Sequence, residues 1–260
     1  MSQLVQLRQK LQEKKPVFGT HVGLRDPAIT EIFGHAGYDF IWIDMEHTAL
    51  SNAHVMDHLI AIRSTNTVGI VRIPWNDPVL AKPILDMGAD GIVFPFIRSL
   101  EEAKQAIRSC QYPPKGIRGF GPNRAVAYGG YGALDYIGKA ELSIFKIVQI
   151  EHIDAIGCIH EIVKIDGLDA LIVGPMDLSG SMGKLGQQRD PEMLKAMDRI
   201  ADVALAAKIP FGFSFGYNEQ DISDWVSRGA TIFCINGDCG YLTVGARENL
   251  YKLQKLVGKE

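Results

Sequence analysis

The chain has 260 residues, 47% of them hydrophobic and 22% charged, with a net charge of −3 and a pI near 6.2. That length suits one large α/β domain able to bury a core without disulfides, and the mild acidity excludes the basic footprint of a nucleic-acid binder. No apolar run approaches the roughly 20 residues of a membrane span, the polar segment 1–15 reads as a helix rather than a signal peptide, and Cys110, Cys158, Cys234 and Cys239 lack zinc or redox spacing, so a reduced cytoplasm is the expected compartment.

In chain order, short apolar runs occur at 17–22, 40–43, 68–73, 91–95, 144–150, 170–173, 210–215 and 231–235. Their length and β-branched and aromatic content predict strands, and their continuous apolarity predicts burial on both faces. Amphipathic segments lie between them at 28–36, 52–62, 78–87, 100–108, 153–165, 191–207 and 221–228. Strands each leading to a helix, at the spacing of βαβ units, predict a (β/α)8 TIM barrel occupying 1–260 as one domain. A doubly wound open sheet is the competitor, but no Gly-rich turn follows the first strand. Residues 111–133 (QYPPKGIRGFGPNRAVAYGGYGA) interrupt the repeat, and a loop that long is expected to act as a lid or binding loop.

Barrel active sites sit where the strands end. The second strand ends in IDMEHT, bringing Asp44, Glu46 and His47 to the rim, and the third ends at Arg72. The fifth ends in VQIEH, where Gln149 and Glu151 share a face by the period of two, and the sixth runs into VGPMDLSGSMG, with Asp177 in the following loop. Glu151 and Asp177 come from adjacent strands. If they converge they require a proton or a cation between them, and two oxygen ligands with open positions suit Mg2+ or Mn2+. Alternatively each pairs with a base, or Asp177 caps a helix. Arg72 would bind a substrate carboxylate or pair with Asp44 or Glu46. His47 is a candidate general base, or a histidine bonded to backbone at a helix start, and Asp86 is a candidate to orient it.

Other groups suggest less. His54 and His58 are one turn apart without a metalloprotease glutamate and are expected on a solvated helix face. His21 stands at the end of the first strand and could reach the site, whereas His35, His152 and His160 read as helix-surface or core residues. Cys234 and Cys239 look incidental. Lys146 lies toward the start of its strand and the sixth strand has no lysine, so Schiff-base chemistry lacks a nucleophile and a metal would have to withdraw electrons.

The segments IDMEHTALS, VRIPWNDP, YPPKGIRGFG, VQIEHIDAI and VGPMDLSGSMG, in order across 18–233, resemble those of the HpcH/HpaI-type class II 2-oxo-acid aldolases. That family includes 4-hydroxy-2-oxoheptanedioate aldolase and 2-keto-3-deoxy sugar acid aldolases. The resemblance implies reversible cleavage of a 4-hydroxy-2-oxo acid to pyruvate, or a related 2-oxo acid, and an aldehyde. It implies that Glu151 and Asp177 hold a divalent ion (Mg2+ or Mn2+, with Co2+ also suitable) that the oxo acid chelates. By the same resemblance, the N–H groups of Met176 and Asp177 receive the substrate carboxylate and Arg72 binds the keto oxygen. His47, oriented by Asp86, moves the C4 hydroxyl proton through water, and Gln149 lines the pocket. It further implies homo-hexamers, trimers of dimers that exchange a barrel helix, here 245–257. The loop GFGPNRAVAYGGY, expected to place Arg124 near the mouth, and the strand end FGFSFGYNE depart from the family pattern and leave the aldehyde open. Another lyase or decarboxylase of the pyruvate/phosphoenolpyruvate barrels is the alternative reaction. A non-catalytic acid-binding barrel would have no need of His47.

Overall fold

The computed structural model describes residues 2–258; Met1 of the N-terminal segment and the last two residues of the expected 1–260 domain lie outside it. The strands are β1 (Val17–Val22), β2 (Phe40–Asp44), β3 (Val68–Arg72), β4 (Gly91–Ile97), β5 (Phe145–Ile150), β6 (Ala170–Val173), β7 (Phe211–Phe215) and β8 (Ile232–Gly237). They are parallel and close into a barrel in sequence order, β8 pairing with β1. Around them, in chain order, run α1 (Gln3–Gln12), α2 (Ala28–His35), α3 (Asn52–Ala61), α4 (Pro78–Asp86), α5 (Leu100–Cys110) and α6 (Ala133–Ala140). Then come α7 (Ile153–Gly157), α8 (Ile159–Ile162), α9 (Pro175–Ser181), α10 (Pro191–Ala207), α11 (Glu219–Ser227) and α12 (Asp238–Leu256). The (β/α)8 barrel expected from the strand spacing is the fold. Among the described residues no helix is long and apolar enough to cross a membrane.

Alternation along the strands divides the core in two. Phe40 and Trp42 on β2, Val68 and Ile70 on β3, and Phe145 and Ile147 on β5 fill the barrel interior. Ile41, Ile43, Val71 and Val148, between them in sequence, face the helices. Leu4, Leu7 and Leu11 of α1 join the interior cluster and plug the N-terminal end of the barrel. With that end closed, the inner rows lead upward to the open end. Two positions past Trp42 is Asp44, two past Ile70 is Arg72, and the row of Phe145 and Ile147 continues to Gln149 and Glu151. The register sets Phe40 beside Val68, Trp42 beside Ile70 and Asp44 beside Arg72, so this last pair is a consequence of strand alignment.

Four expectations change. The loop 111–133 follows α5, which runs back to the N-terminal end, so it lies at the end opposite the strand termini and is no lid over this chain's own site. Arg124 is accordingly away from the mouth, donating to the carbonyls of Met87 (2.8 Å) and Leu59 (2.7 Å). The segment 153–165 is two short helices that break at Cys158. Finally, α12 begins directly after β8, seven residues before the expected start at 245.

Candidate active site

Arg72, 5% exposed at the end of β3, donates through Nε to Asp44 Oδ1 (2.8 Å) and through Nη2 to Asp44 Oδ2 (2.7 Å). Its Nη1 lies 2.9 Å from Glu46 Oε2, and its guanidinium sits over Trp42, 5.5 Å from the ring centroid. The structural ion pair is thus present. It does not exhaust the group, since a guanidinium has five N–H donors and three contacts leave N–H bonds on Nη1 and Nη2 for a ligand. Arg72 and its own hydrogen bonds hold the Asp44 carboxyl below the usual range despite burial. Glu46 goes the other way: burial raises its pKa, with Arg72 opposing.

Glu151 directly follows β5 and is 1% exposed. Its Oε1 accepts from the Phe96 N–H (2.7 Å) and its Oε2 from Gln149 Nε2 (2.5 Å). Phe96 adopts φ 55°, a left-handed conformation uncommon outside glycine, where its N–H meets the carboxylate. Even with that bond, the Glu151 carboxyl is pushed up to about 8, by burial first and then by the neighbouring charges of Glu46 and Asp177. Asp177 stands in the first turn of α9, three residues past the N-cap, which is Gly174. It is therefore not the cap. The first helical backbone bond runs from the Leu178 N–H to Gly174 O, and the earlier N–H groups of Met176 and Asp177 are left open to the mouth, as at any helix start. Gly174 is needed for a close approach: a Cβ there would stand 2.5 Å from Glu151 Oε2.

The residues fit a divalent cation. Gln149 Oε1 is buried without a hydrogen-bond partner, and Glu151 lies close enough to two other carboxylates for them to raise its pKa. A cation would relieve that repulsion. Among the described residues no group of three or more His, Cys, Asp and Glu side chains converges as a metal cage. Glu151 and Asp177 would hold the ion, leaving positions for water and substrate oxygens, as Mg2+ and Mn2+ accept.

His47 is at the rim, its side chain 62% exposed and Nε2 3.7 Å from Glu46 Oε2. It lines a cavity of about 410 Å³ together with His21, Asp44, the end of β8 and the start of α12. Asp86, expected to orient it, does not in this chain. Because α4 runs antiparallel to the strands, Asp86 ends at the opposite end of the barrel, 3.0 Å from Arg118 Nη2. His58 also departs from expectation. It is buried, with Nδ1 2.7 Å from Thr30 Oγ1 and Nε2 3.0 Å from the Leu24 carbonyl, a structural histidine. Lys146 is buried near the strand start against Asp169, as its position suggests. Sequence alone does not single out Phe96 or Gly174; the GP of VGPMD at the strand-to-helix turn is the available signal for the second.

The sequence profile of the HpcH/HpaI aldolase/citrate lyase family matches residues 18–242. A 5-keto-4-deoxy-D-glucarate aldolase of Enterobacter sp. (strain 638) is 34% identical over 231 residues, covering 88% of this chain and 89% of that protein. The crystal structure of an HpcH/HpaI aldolase from Desulfitobacterium hafniense DCB-2 superposes with a TM-score of 0.90 at 29% identity, covering 98% of both chains. That of the citrate synthase SbnG superposes with a TM-score of 0.84 at 28% identity, covering 98% of this chain and 99% of the other. The match along most of its length places this chain in the HpcH/HpaI aldolase/citrate lyase family, and it is a carbon–carbon lyase.

Proposed function

We propose that this enzyme is a divalent-metal-dependent aldolase that reversibly cleaves 4-hydroxy-2-oxo acids to pyruvate, or a related 2-oxo acid, and an aldehyde. The observation that carries the reading is Glu151, a carboxyl 1% exposed and held by the Phe96 N–H and Gln149 Nε2, with Glu46 and Asp177 close enough to raise its pKa and the Arg72 guanidinium beside it.

Glu151 and Asp177 hold the ion, and Gln149 keeps the Glu151 carboxylate in place. A bound divalent ion supplies Lewis-acid polarisation of the oxo acid. The open N–H groups of Met176 and Asp177 receive the substrate carboxylate at the positive end of α9. Arg72, fixed by Asp44 and Glu46, donates to the keto oxygen and stabilises the negative charge that grows there as the enolate forms. His47 takes the C4 hydroxyl proton through water in cleavage and returns it in synthesis. Asp86 has no part in this within one chain.

The reading extends to assembly. On α12 the side chains of Leu250, Tyr251, Leu253 and Leu256 are 56%, 66%, 60% and 82% exposed, and Phe18, on the helix-facing side of β1, is 44% exposed. A barrel strand left uncovered and an apolar helix without a partner complement one another between subunits, supporting helix exchange in a homo-hexamer.

The likeness to a citrate synthase keeps another lyase or decarboxylase as the second reading. A screen of aldehydes with pyruvate, and of oxaloacetate alone, each with Mg2+, Mn2+, Co2+ or chelator, separates the two. Metal-dependent aldol products are expected. Decarboxylation of oxaloacetate without any aldol product would overturn the proposal.

A further inference from the structure

The proposed base opens onto a cavity whose lining says what kind of aldehyde it takes. The cavity, about 410 Å³, is bounded by His21, Asp44, His47, Asn236 and Asp238, on the β8–β1–β2 side of the mouth. A C4 hydroxyl within reach of His47 puts the carbons beyond it, those of the aldehyde partner, in this space. Most inner-row positions below are apolar: Val17 on β1, Ile232 and Cys234 on β8. At the top the lining turns polar.

His21 is fixed there. Its ring packs against Trp42 with centroids 5.1 Å apart, and its Nε2 lies 2.9 Å from Ser214 Oγ, the inward residue of β7. Among the described residues the ring makes no other hydrogen bond, which leaves Nδ1 for a ligand. Burial first, and then Arg72, holds the imidazole down to about 4, so the ring is neutral at working pH, with one nitrogen donating and the other accepting. Asn236 borders the same space in a left-handed conformation, φ 59°, which asparagine adopts more readily than most residues. Its amide has a seat because residue 240 is glycine: a Cβ there would stand 2.2 Å from Asn236 Oδ1.

The charges matter as much. The Asp238 carboxylate accepts the N–H groups of Gly23 (2.8 Å), Leu24 (2.8 Å) and Cys239 (2.7 Å). Asp44 faces the cavity with its charge directed at Arg72. No lysine or arginine is among the lining residues. A carboxylate or phosphate on the aldehyde would meet the Asp238 carboxylate and, with Arg72 already bound to Asp44, no free cation in the lining, whereas a hydroxyl both donates and accepts and matches a neutral imidazole and an amide.

We propose that this cavity is the aldehyde subsite and selects an uncharged hydroxyaldehyde, with His21 contacting its hydroxyl and Ser214 as the positioning residue that fixes the ring. The proposal rests on the aldolase reading, so its test separates the two. Wild-type enzyme is first assayed for exchange of pyruvate methyl protons into D2O, which needs no aldehyde. It is then assayed for kcat/KM with glyceraldehyde, propanal and succinic semialdehyde as partners of pyruvate.

Glyceraldehyde is expected to lead both others by about tenfold or more, the scale of one or two site hydrogen bonds to a substrate hydroxyl. Ser214→Ala and His21→Leu are each expected to shrink the glyceraldehyde-to-propanal ratio toward one. A ratio cancels any general loss of activity, and Ser214→Ala serves if His21→Leu fails to fold. Exchange with a preference for succinic semialdehyde, or an unchanged ratio in Ser214→Ala, overturns the subsite and leaves the aldolase standing. Absence of both exchange and aldol product overturns both.

Discussion

Glu151 is the residue on which the chemistry turns, and its environment makes a pH prediction. In the metal-free protein its folded pKa of about 8 lies above the ordinary 4.5. Between those values the folded state carries a proton that the unfolded state has lost. That contribution to stability is full below the unfolded value and is lost as pH rises through about 8. A cation must displace the same proton, so affinity for Mn2+ should climb by close to tenfold per unit from about pH 6 to 8 and then level, with about one proton released per ion. Titration calorimetry in buffers of different ionisation enthalpy measures both. Affinity flat across that range would mean that Glu151 is not the titrating ligand. Some of this was legible in the sequence: Gln149 and Glu151 share a face because strands alternate, whatever the fold. The grip of Asp44 on Arg72 was open, because register between two strands is set by packing of residues such as Phe40 against Val68.

At the scale of elements, continuous apolar runs named every strand to within a few residues, because a parallel barrel strand is buried on both faces. The helices were less exact. The expected single helix at 153–165 breaks at Cys158, which adopts φ −117° and ψ 17°. The length of the loop 111–133 suggests a lid or binding loop, yet its position between a helix end and the next strand start assigns it to the closed end. The same direction rule separates Asp86 from His47 within one chain. The spacing of His54 and His58 does not reveal that His58 lies on the face of α3 that packs on Thr30 and the Leu24 carbonyl. The short α1 has a task that amphipathicity alone did not indicate, since Leu4, Leu7 and Leu11 close the barrel floor. Leu7→Ala, at a position 3% exposed, should cost about 3 kcal/mol in urea unfolding while leaving the site at the other end intact. A loss below about 0.5 kcal/mol, the range of ordinary surface substitutions, would mean that α1 is not part of the core.

For the whole molecule, the arrangement explains a protein with reactive groups at one end and an unsatisfied wall. The apolar side chains of α12 and the uncovered Phe18 on β1 predict a particle several times the 28.6 kDa chain in light scattering. A Leu253→Glu, Leu256→Glu double variant should reduce it to smaller species, and an unchanged size would exclude α12 from the interface. The chemistry makes a sharper demand. If Glu151 and Asp177 hold the ion that draws charge from the oxo acid, enolate formation requires metal even when no aldehyde is present. NMR of pyruvate methyl exchange in D2O measures this step alone. The account predicts rapid exchange with Mg2+ or Mn2+, none above background with chelator, and a loss of at least about 100-fold in Glu151→Ala, the scale of removing one preorganised electrostatic group. Exchange that continues at full rate after complete removal of divalent metal would contradict it.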